Sequence, residues 1–223
     1  VGGHFEFSDR PGVAQRFYGI NFCGTANYPS HAEADGIVDR FVRLGYNSIR
    51  IHHHDDAWAK RPDEREKLDY LIAAAIKRGL YVTTDLYVSR KVSWKELGES
   101  REGLVDMQLF KTLVLIDETA YANWQAFARE FLEHVNPYTG RAYKDEPGLP
   151  LISLINEGNL GMGFGRNEKA TNPKILGAWR TFSGDAAATK VPNPWNNAQV
   201  QAFDEEINGG LSRGPRRFCA NSA

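Results

Sequence analysis

Residues 151–159, Leu-Ile-Ser-Leu-Ile-Asn-Glu-Gly-Asn, form an almost continuously apolar run that ends on an amide, a carboxylate, a glycine and a second amide. Runs of this kind are typical of strands in parallel sheets that are buried on both faces. Parallel α/β folds carry their chemistry on polar residues at the carboxyl ends of such strands. The run therefore predicts a buried strand that presents Asn156 and Glu157 at its end.

The sequence before this strand alternates between strand patterns and helix patterns. Strands are predicted at residues 15–22, 46–51 and 80–86, and helices at residues 33–44, at residues 62–79 and in a long region that ends near Val135. Aromatic-rich alternating segments on either side of Pro11-Gly12 predict an N-terminal hairpin over about residues 1–14. The order β-α-β-α-β-α-β predicts a parallel sheet with right-handed crossovers.

Polar residues at the strand ends distinguish a barrel from an open doubly wound sheet. Asn21, Arg50, Asp85 and Glu157 each lie at or near the carboxyl end of a predicted strand. An open nucleotide-binding sheet is expected to carry a glycine-rich phosphate loop after its first strand. Residues 19–24 contain neither that motif nor a Walker motif, so the sequence favours an α/β fold of the (β/α)8 TIM-barrel type.

Three motifs resemble those of the clan A glycoside hydrolases, particularly the cellulase-like family 5 group. They are Gly19-x-Asn21, Asn47-Ser48-Ile49-Arg50-Ile51 and Asn156-Glu157, and the resemblance covers residues 15–160 approximately. It implies a retaining hydrolase that cleaves O-glycosidic bonds in a β-linked glycan. It also implies that Glu157 is the general acid/base, that Asn156 binds the sugar 2-hydroxyl, and that Arg50 lies under the site and orients the nucleophile.

The chemistry of glycosidic cleavage needs two carboxyl groups in different states. One stays protonated until it protonates the leaving oxygen, and the other is ionised and stabilises or attacks the anomeric carbon. A strand-end glutamate beside an apolar wall can have the raised pKa that the first role requires. The structural alternatives are a helix-capping or loop-bridging carboxylate for Glu157, a turn cap for Asn156 and an ion-pair partner for Arg50.

Further substrate contacts are expected from residues near the other strand ends. Asn21 ends the first strand, and Asp85 ends the third. Tyr87 occupies the place where many members of the resembling family carry a histidine after the third-strand aspartate. Its ring is interpreted either as an edge for a sugar or as a packed aromatic.

The run His52-His53-His54 follows the second strand directly. Strand alternation predicts that His52 and His54 lie on the face of Arg50 and that His53 lies on the other face. His52 and His54 are therefore candidates for binding sugar hydroxyls. A metal site that adds Asp55 or Asp56 is a weaker hypothesis, because contiguous histidines lack the usual ligand spacing. No metal and no cofactor are expected.

The sequence after Glu157 is too short for the second half of a barrel. It has 66 residues, whereas four more βα units need on the order of 120. Helices are predicted near residues 175–182 and 200–207, and about residues 209–223 are typical of a disordered tail. We therefore expect one incomplete catalytic-type domain over residues 1–223, truncated to about the first four βα units.

The missing half creates a problem for catalysis. In the resembling family the nucleophilic glutamate closes the seventh strand. Glu205 and Glu206 lie on a predicted helix and do not qualify as replacements. The chain is thus interpreted as a fragment of a longer hydrolase that would be inactive alone, or as a half barrel that pairs with itself or with another chain through exposed strand edges.

Composition narrows the class of partner. The sequence has 223 residues, of which 42% are hydrophobic and 25% charged, with a formal net charge of −1. This balance offers no basic field for nucleic acid and no polybasic membrane anchor, so small-molecule or neutral polymer ligands are favoured. The resemblance implies that this ligand is a poly- or oligosaccharide. No apolar run approaches a membrane span and no signal peptide is visible. Polymer-degrading relatives are usually exported, which favours a secreted or periplasmic location.

Three functions of different classes follow from these observations. The first is the N-terminal part of a retaining β-glycanase or β-glycosidase. The second is a non-catalytic carbohydrate-binding or scaffold half barrel that uses the same groove. The third and weakest is a metal-dependent hydrolase built on His52 and His54.

Overall fold

The computed structural model describes residues 3–8 and 10–209, which form two compact units. Among the described residues, the first unit contains those up to Asp85 together with residues 133–153, and the second contains residues 86–132 and 154–209. The strands are β1 (Phe5–Phe7), β2 (Arg10–Gln15), β3 (Gly19–Cys23), β4 (Ser48–His52), β5 (Tyr81–Asp85) and β6 (Leu151–Ser153). The helices are α1 (His31–Arg43), α2 (Asp55–Lys60), α3 (Pro62–Lys77), α4 (Met107–Ile116), α5 (Glu118–Glu133), α6 (Pro173–Ser183) and α7 (Ala198–Gly209).

The first unit is built on a parallel sheet in the order β3-β4-β5-β6. Asn21, Arg50, Thr83 and Leu151 occupy equivalent positions on the four neighbouring strands. Strands that are consecutive along the chain and adjacent in space, with helices between them, are the repeating unit of a (β/α) barrel. The predicted parallel sheet of four strands is therefore confirmed.

Local sequence signals explain where α1 and α3 begin and where α1 ends. Ser30 and Glu33 form a capping box before α1, in which each side chain accepts a hydrogen bond from the backbone N–H of the other residue. Pro62 opens α3, where its missing N–H leaves no bond unmade. Gly45 follows α1 with a φ of +85°, a conformation that favours glycine.

The two faces of the sheet are covered to different extents. Ile49, Ile51 and Val82 lie on one face and are fully buried. On the other face, Asn21 is exposed and Leu151 is 54% exposed. Within the described residues, the second face is therefore only partly covered.

The prediction of a strand over residues 151–157 buried on both faces is wrong. β6 ends at Ser153 after three residues, and residues 154–157 form a bend and a turn. Leu154 is exposed. An apolar run shows that a segment is able to be buried, but it does not provide the second surface against which the segment would pack. Here the chain turns away after the short pairing of β6 with β5.

Three smaller differences from the sequence prediction have local causes. Pro11 and Gly12 lie inside β2, because the hairpin already pairs Phe7 with Arg10. Helix α2 was not expected. Asp117 interrupts the long predicted helical region, because its carboxylate accepts a hydrogen bond from the N–H of Ala120 and so caps α5.

The second unit is helical. Trp179 and Phe182 of α6 pack against Phe203 of α7 with ring centroids 5.6 and 5.3 Å apart. These helices confirm the two that were predicted after the Asn-Glu motif. Gly209 is the last residue of α7, and the rest of the predicted disordered tail lies outside the described residues. Among the helices described here, none has the length and apolar character needed to cross a membrane.

We predict that the two faces of the sheet differ sharply in their contribution to stability. Ile49→Ala removes a fully buried side chain, and we expect it to lower the free energy of unfolding by about 2–5 kcal/mol. Leu151→Ala changes a side chain that is 54% exposed on the opposite face, and we expect about 1 kcal/mol or less. Urea unfolding of the two variants measures the difference. Equal losses would show that both faces are packed.

Candidate functional site

The carboxyl ends of β4 and β5 bring three predicted site residues together. An Nη2 atom of Arg50 lies 2.9 Å from each carboxylate oxygen of Asp85, and Nδ1 of His52 lies 2.9 Å from Oδ2. Asp85 is fully buried, whereas Arg50 and His52 are partly exposed. A buried carboxylate is tolerated where cations and hydrogen-bond donors surround it, and both are present here.

The position of Asp85 changes the role expected for Asp85 itself and defines the one expected for His52. A fully buried carboxylate whose two oxygens already accept hydrogen bonds does not contact a substrate, so its expected binding role is replaced by a positioning role. A neutral imidazole carries one N–H hydrogen, and the contact of His52 with Asp85 places that hydrogen on Nδ1. Nε2 of the neutral ring is therefore left as an acceptor. Such a nitrogen is able to accept a hydrogen bond from a hydroxyl group.

His54 does not lie where strand alternation predicted. His53 has a φ of +55°, which ends the extended backbone after His52. His54 is fully buried, and its Nε2 lies 2.8 Å from Oγ1 of Thr84, which donates its own hydrogen to the carbonyl of Ile51. The expectation that His54 binds sugar is therefore wrong, because the ring nitrogen bonds to the protein core.

The hypothesis of a metal site loses its geometric basis for the same reason. His52 binds the Asp85 carboxylate, whereas His54 faces Thr84. Within residues 3–8 and 10–209, no group of three or more histidine, cysteine, aspartate or glutamate residues is arranged to hold a metal ion.

Asn21 lies on the same face as Arg50, on the neighbouring strand. The two residues are paired in the parallel register, and Asn21 is exposed. Cys23 is paired with His52 further along the same face and is also exposed. Asn21 is therefore accessible to a ligand, as its expected role requires.

Tyr87, in the second unit, is a packed aromatic. Its ring lies 4.9 Å from that of Phe110, its hydroxyl donates to the carbonyl of Arg90 at 2.9 Å, and the side chain is buried. Of the two interpretations of Tyr87, the sugar-binding edge is thus wrong. The backbone carbonyl of Tyr87 accepts a hydrogen bond from the N–H of Asn156 at 3.0 Å, so it fixes the start of the Asn-Glu motif.

Glu157 lies in a turn rather than at a strand end. Its φ is +52°, a left-handed conformation that is uncommon for a residue with a side chain. The side chain is exposed, and among the described residues it has no hydrogen bond or ion pair. Backbone strain of about 1–3 kcal/mol persists only where the surroundings impose it, and such positions cluster at functional sites.

Two residues near this turn were not singled out by the sequence. Nζ of Lys169 donates hydrogen bonds to the backbone carbonyls of Asn159, Leu160 and Met162. Trp195 is 71% exposed and packs against Gly161. Neither follows from periodicity, because a lysine in a polar segment is typical of a solvated surface. The sequence alone does not distinguish Trp195 from Trp58, Trp94 and Trp179, which are buried.

Burial lowers the pKa of His54 because desolvation disfavours the charged imidazolium, while the nearby Asp55 and Asp85 act in the opposite direction. The imidazole of His54 therefore binds a proton more readily in the unfolded chain than in the folded chain. The stabilising contribution of neutral His54 is complete above its ordinary pKa of about 6.5 and is lost as pH falls towards the lower folded value.

We predict that the urea midpoint of the chain falls between pH 8 and pH 5, and that His54→Gln reduces this fall. The amide nitrogen of glutamine retains a donor for Thr84 but does not titrate. His31→Gln is the control, because His31 is 45% exposed. A pH dependence unchanged by His54→Gln would contradict the assignment.

Comparisons with known proteins address the fold. No protein-family model and no curated protein matches the sequence. An endo-β-1,4-mannanase from Thermotoga petrophila is similar in structure, with a TM-score of 0.51 and 18% identity over 87% of this chain and 42% of that one. A structure of such a mannanase from strain RKU-1 with maltose and glycerol has a TM-score of 0.50 and 18% identity, over 86% and 53%.

An endo-1,4-β-mannanase from Rhizomucor miehei has a TM-score of 0.50 and 15% identity, over 67% of this chain and 46% of that one. The chain thus spans about half the length of the solved structures that it resembles. The predicted fold of the (β/α)8-barrel type is confirmed by these similarities in structure. The protein has the fold of part of a glycoside hydrolase (β/α)8 barrel.

Proposed function

We propose that this protein is part of a retaining glycoside hydrolase that acts on β-linked glycans, with Glu157 as the general acid/base. The observation that carries the proposal is an exposed carboxylate in a left-handed turn soon after the fourth parallel strand of a barrel-type sheet. β-1,4-Mannan is the first substrate to test, because the similar structures are described as mannanases.

In the proposed reaction, Glu157 donates its proton to the glycosidic oxygen as the bond from that oxygen to the anomeric carbon breaks. A second carboxylate attacks the anomeric carbon and forms a glycosyl ester. The Glu157 carboxylate then takes a proton from water, whose oxygen attacks the anomeric carbon and releases the second carboxylate. Glu157 is protonated again at the end of the second step, and the anomeric configuration is retained.

Neither Asp85 nor the two adjacent glutamates of α7 suit the role of the second carboxylate. Asp85 is buried and bound to Arg50 and His52. Glu205 and Glu206 belong to a helix, α7, and not to the end of a strand. The proposed mechanism therefore takes its nucleophile from outside residues 3–8 and 10–209.

The remaining residues have binding roles in this proposal. His52 accepts a hydrogen bond from a sugar hydroxyl through Nε2, and Arg50 donates to substrate or nucleophile oxygens, while Asp85 holds both side chains in place. Asn21 and Asn156 contribute amide groups, of which Asn156 binds the 2-hydroxyl. Amides and imidazoles suit hydroxyl groups because they donate and accept in fixed directions.

We predict that Glu157→Gln in the full-length gene product lowers kcat/KM on β-1,4-mannan by about 10²- to 10⁴-fold, the usual contribution of a general acid/base. Aryl β-glycosides with very good leaving groups should lose much less in the glycosylation step, because their leaving oxygen needs no proton. Initial rates across a series of leaving groups measure this difference.

Glu205→Gln is the matched control, since Glu205 is an exposed glutamate on α7. It should leave every rate unchanged. A loss in Glu157→Gln that is the same for good and poor leaving groups would rule out the acid role.

A non-catalytic carbohydrate-binding function is the second candidate, and the observation that favours it is that the Asp85 carboxylate is already bound by Arg50 and His52. It predicts no turnover of any β-glycan by the full-length gene product. It also predicts that oligosaccharide affinity is unchanged by Glu157→Gln. Turnover assays on β-1,4-mannan, combined with isothermal titration with mannan oligosaccharides, separate the two functions.

Trp195 is a candidate platform for a pyranose ring. Its backbone is fixed, because Asn193 Oδ1 accepts a hydrogen bond from the Trp195 N–H at 3.0 Å and the Gln201 side chain donates to the carbonyl of Pro194 at 3.0 Å. The indole nevertheless remains 71% exposed. An exposed aromatic ring on a fixed backbone stacks on a sugar with little loss of conformational freedom.

We predict that Trp195→Ala weakens the binding of mannan oligosaccharides about 3- to 10-fold, as expected for the loss of one aromatic contact. Tyr18→Ala, which removes another aromatic side chain that is 59% exposed, is the control and should not alter binding. Equal affinities for Trp195→Ala and the unmodified protein would show that the indole does not contact the glycan.

A further inference from the structure

Lys169 lies inside the second unit with its charge fully enclosed. Its side chain is buried, and Nζ lies 3.0 Å from the carbonyl oxygen of Asn159, 3.3 Å from that of Leu160 and 2.6 Å from that of Met162. An ammonium group has three protons and accepts no hydrogen bond. Three carbonyl oxygens therefore match its donors in number.

The same short loop, residues 159–162, is fixed by two other contacts. The side chain of Asn159 accepts a hydrogen bond from the N–H of Met162 at 2.8 Å, which closes the loop on itself. Asp204 of α7 accepts a hydrogen bond from the N–H of Leu160 at 2.8 Å. Gly161 leaves space for Trp195, because a Cβ atom there would lie 2.9 Å from Cζ2 of the indole.

The chain on the other side of Glu157 is also held. The N–H of Asn156 donates to the carbonyl of Tyr87 at 3.0 Å, and the indole N–H of Trp124 donates to the carbonyl of Leu154 at 3.3 Å. Only Glu157 and Gly158 lie between these contacts and the loop. The left-handed turn of Glu157 is thus anchored on both sides.

We propose that Lys169 is a positioning residue for Glu157, which clamps the loop of residues 159–162 through its backbone carbonyls and so holds the neighbouring turn in its left-handed conformation. This inference rests on the proposed function of Glu157. Lys169 touches neither substrate nor reacting atoms and acts through the backbone. A misplacement of about 1 Å in a catalytic group is able to cost about 10²-fold in rate, which sets the scale of the effect.

The electrostatic setting shows that packing alone does not explain this lysine. Burial lowers the pKa of Lys169 to about 8, Lys111 adds to this effect, and Asp204 and Asp106 oppose it. The ammonium form therefore predominates at neutral pH. Enclosing a charge costs several kcal/mol unless strong hydrogen bonds offset the loss of water, so an apolar side chain would fill the same space at lower cost.

Lys169→Met is the test, because methionine keeps most of the length and lacks the donors. In the full-length gene product we expect kcat on poor-leaving-group substrates to fall by about 10- to 100-fold with little change in KM, and good leaving groups to be less affected. Lys169→Met should add nothing in a Glu157→Gln background, since it acts through that carboxylate. Lys169→Arg, which keeps the charge and donors, should restore part of the rate.

Hydrogen exchange gives a readout that does not depend on activity. We expect amides of residues 158–162 to exchange faster in Lys169→Met and at the normal rate in Lys174→Met, the control. Lys174 belongs to the same unit and pairs with Asp117 at 2.9 Å. Unchanged exchange in Lys169→Met would overturn the clamp.

The two proposals fail in distinguishable ways. Faster exchange in Lys169→Met together with a Glu157→Gln enzyme that keeps full activity would remove the acid role of Glu157, and with it the positioning role. If Glu157→Gln is impaired as expected, either of two results would overturn the positioning role alone. One is a Lys169→Met enzyme that is slowed equally for all leaving groups, and the other is an effect of Lys169→Met that adds to that of Glu157→Gln. If Lys169→Met does not fold, the exchange and rates of Asp204→Ala, which removes the second loop anchor, make the same distinction.

Discussion

The parallel pairing of β3 to β6 is the constraint on which the first unit depends. Because neighbouring strands are in register, equivalent residues project from the same face of the sheet. Apolar residues such as Ile49 and Val82 are thereby gathered on one face, and polar residues such as Asn21 and Arg50 on the other. Buried Asp85 is tolerable only because this register brings Arg50 and His52 to its carboxylate.

Much of this architecture could be predicted from the sequence because its signals are local. Strands and helices alternate by hydrophobic period, and caps and glycines mark their ends, as at Ser30, Pro62 and Gly45. The same signals predicted α6 and α7. The candidate residues Arg50, His52 and Asp85 could likewise be placed at one sheet edge, because parallel strands end together.

The remaining features depend on contacts between residues distant in sequence. The length of β6 depends on whether a second surface covers it, and the run at residues 151–157 contains no information about that surface. His54 was misplaced because a single left-handed residue, His53, cancels the strand alternation. Lys169 and Tyr87 have roles set by burial, which their residue types alone would not suggest.

Contacts made by Lys169 have a consequence for how this segment is able to diverge. Its three partners are main-chain oxygens, which every amino acid supplies. The clamp therefore places no demand on the side chain of Met162, which is partly exposed. Natural variation or laboratory selection at that position can alter the surface next to the Asn-Glu motif while the backbone beneath it keeps its shape.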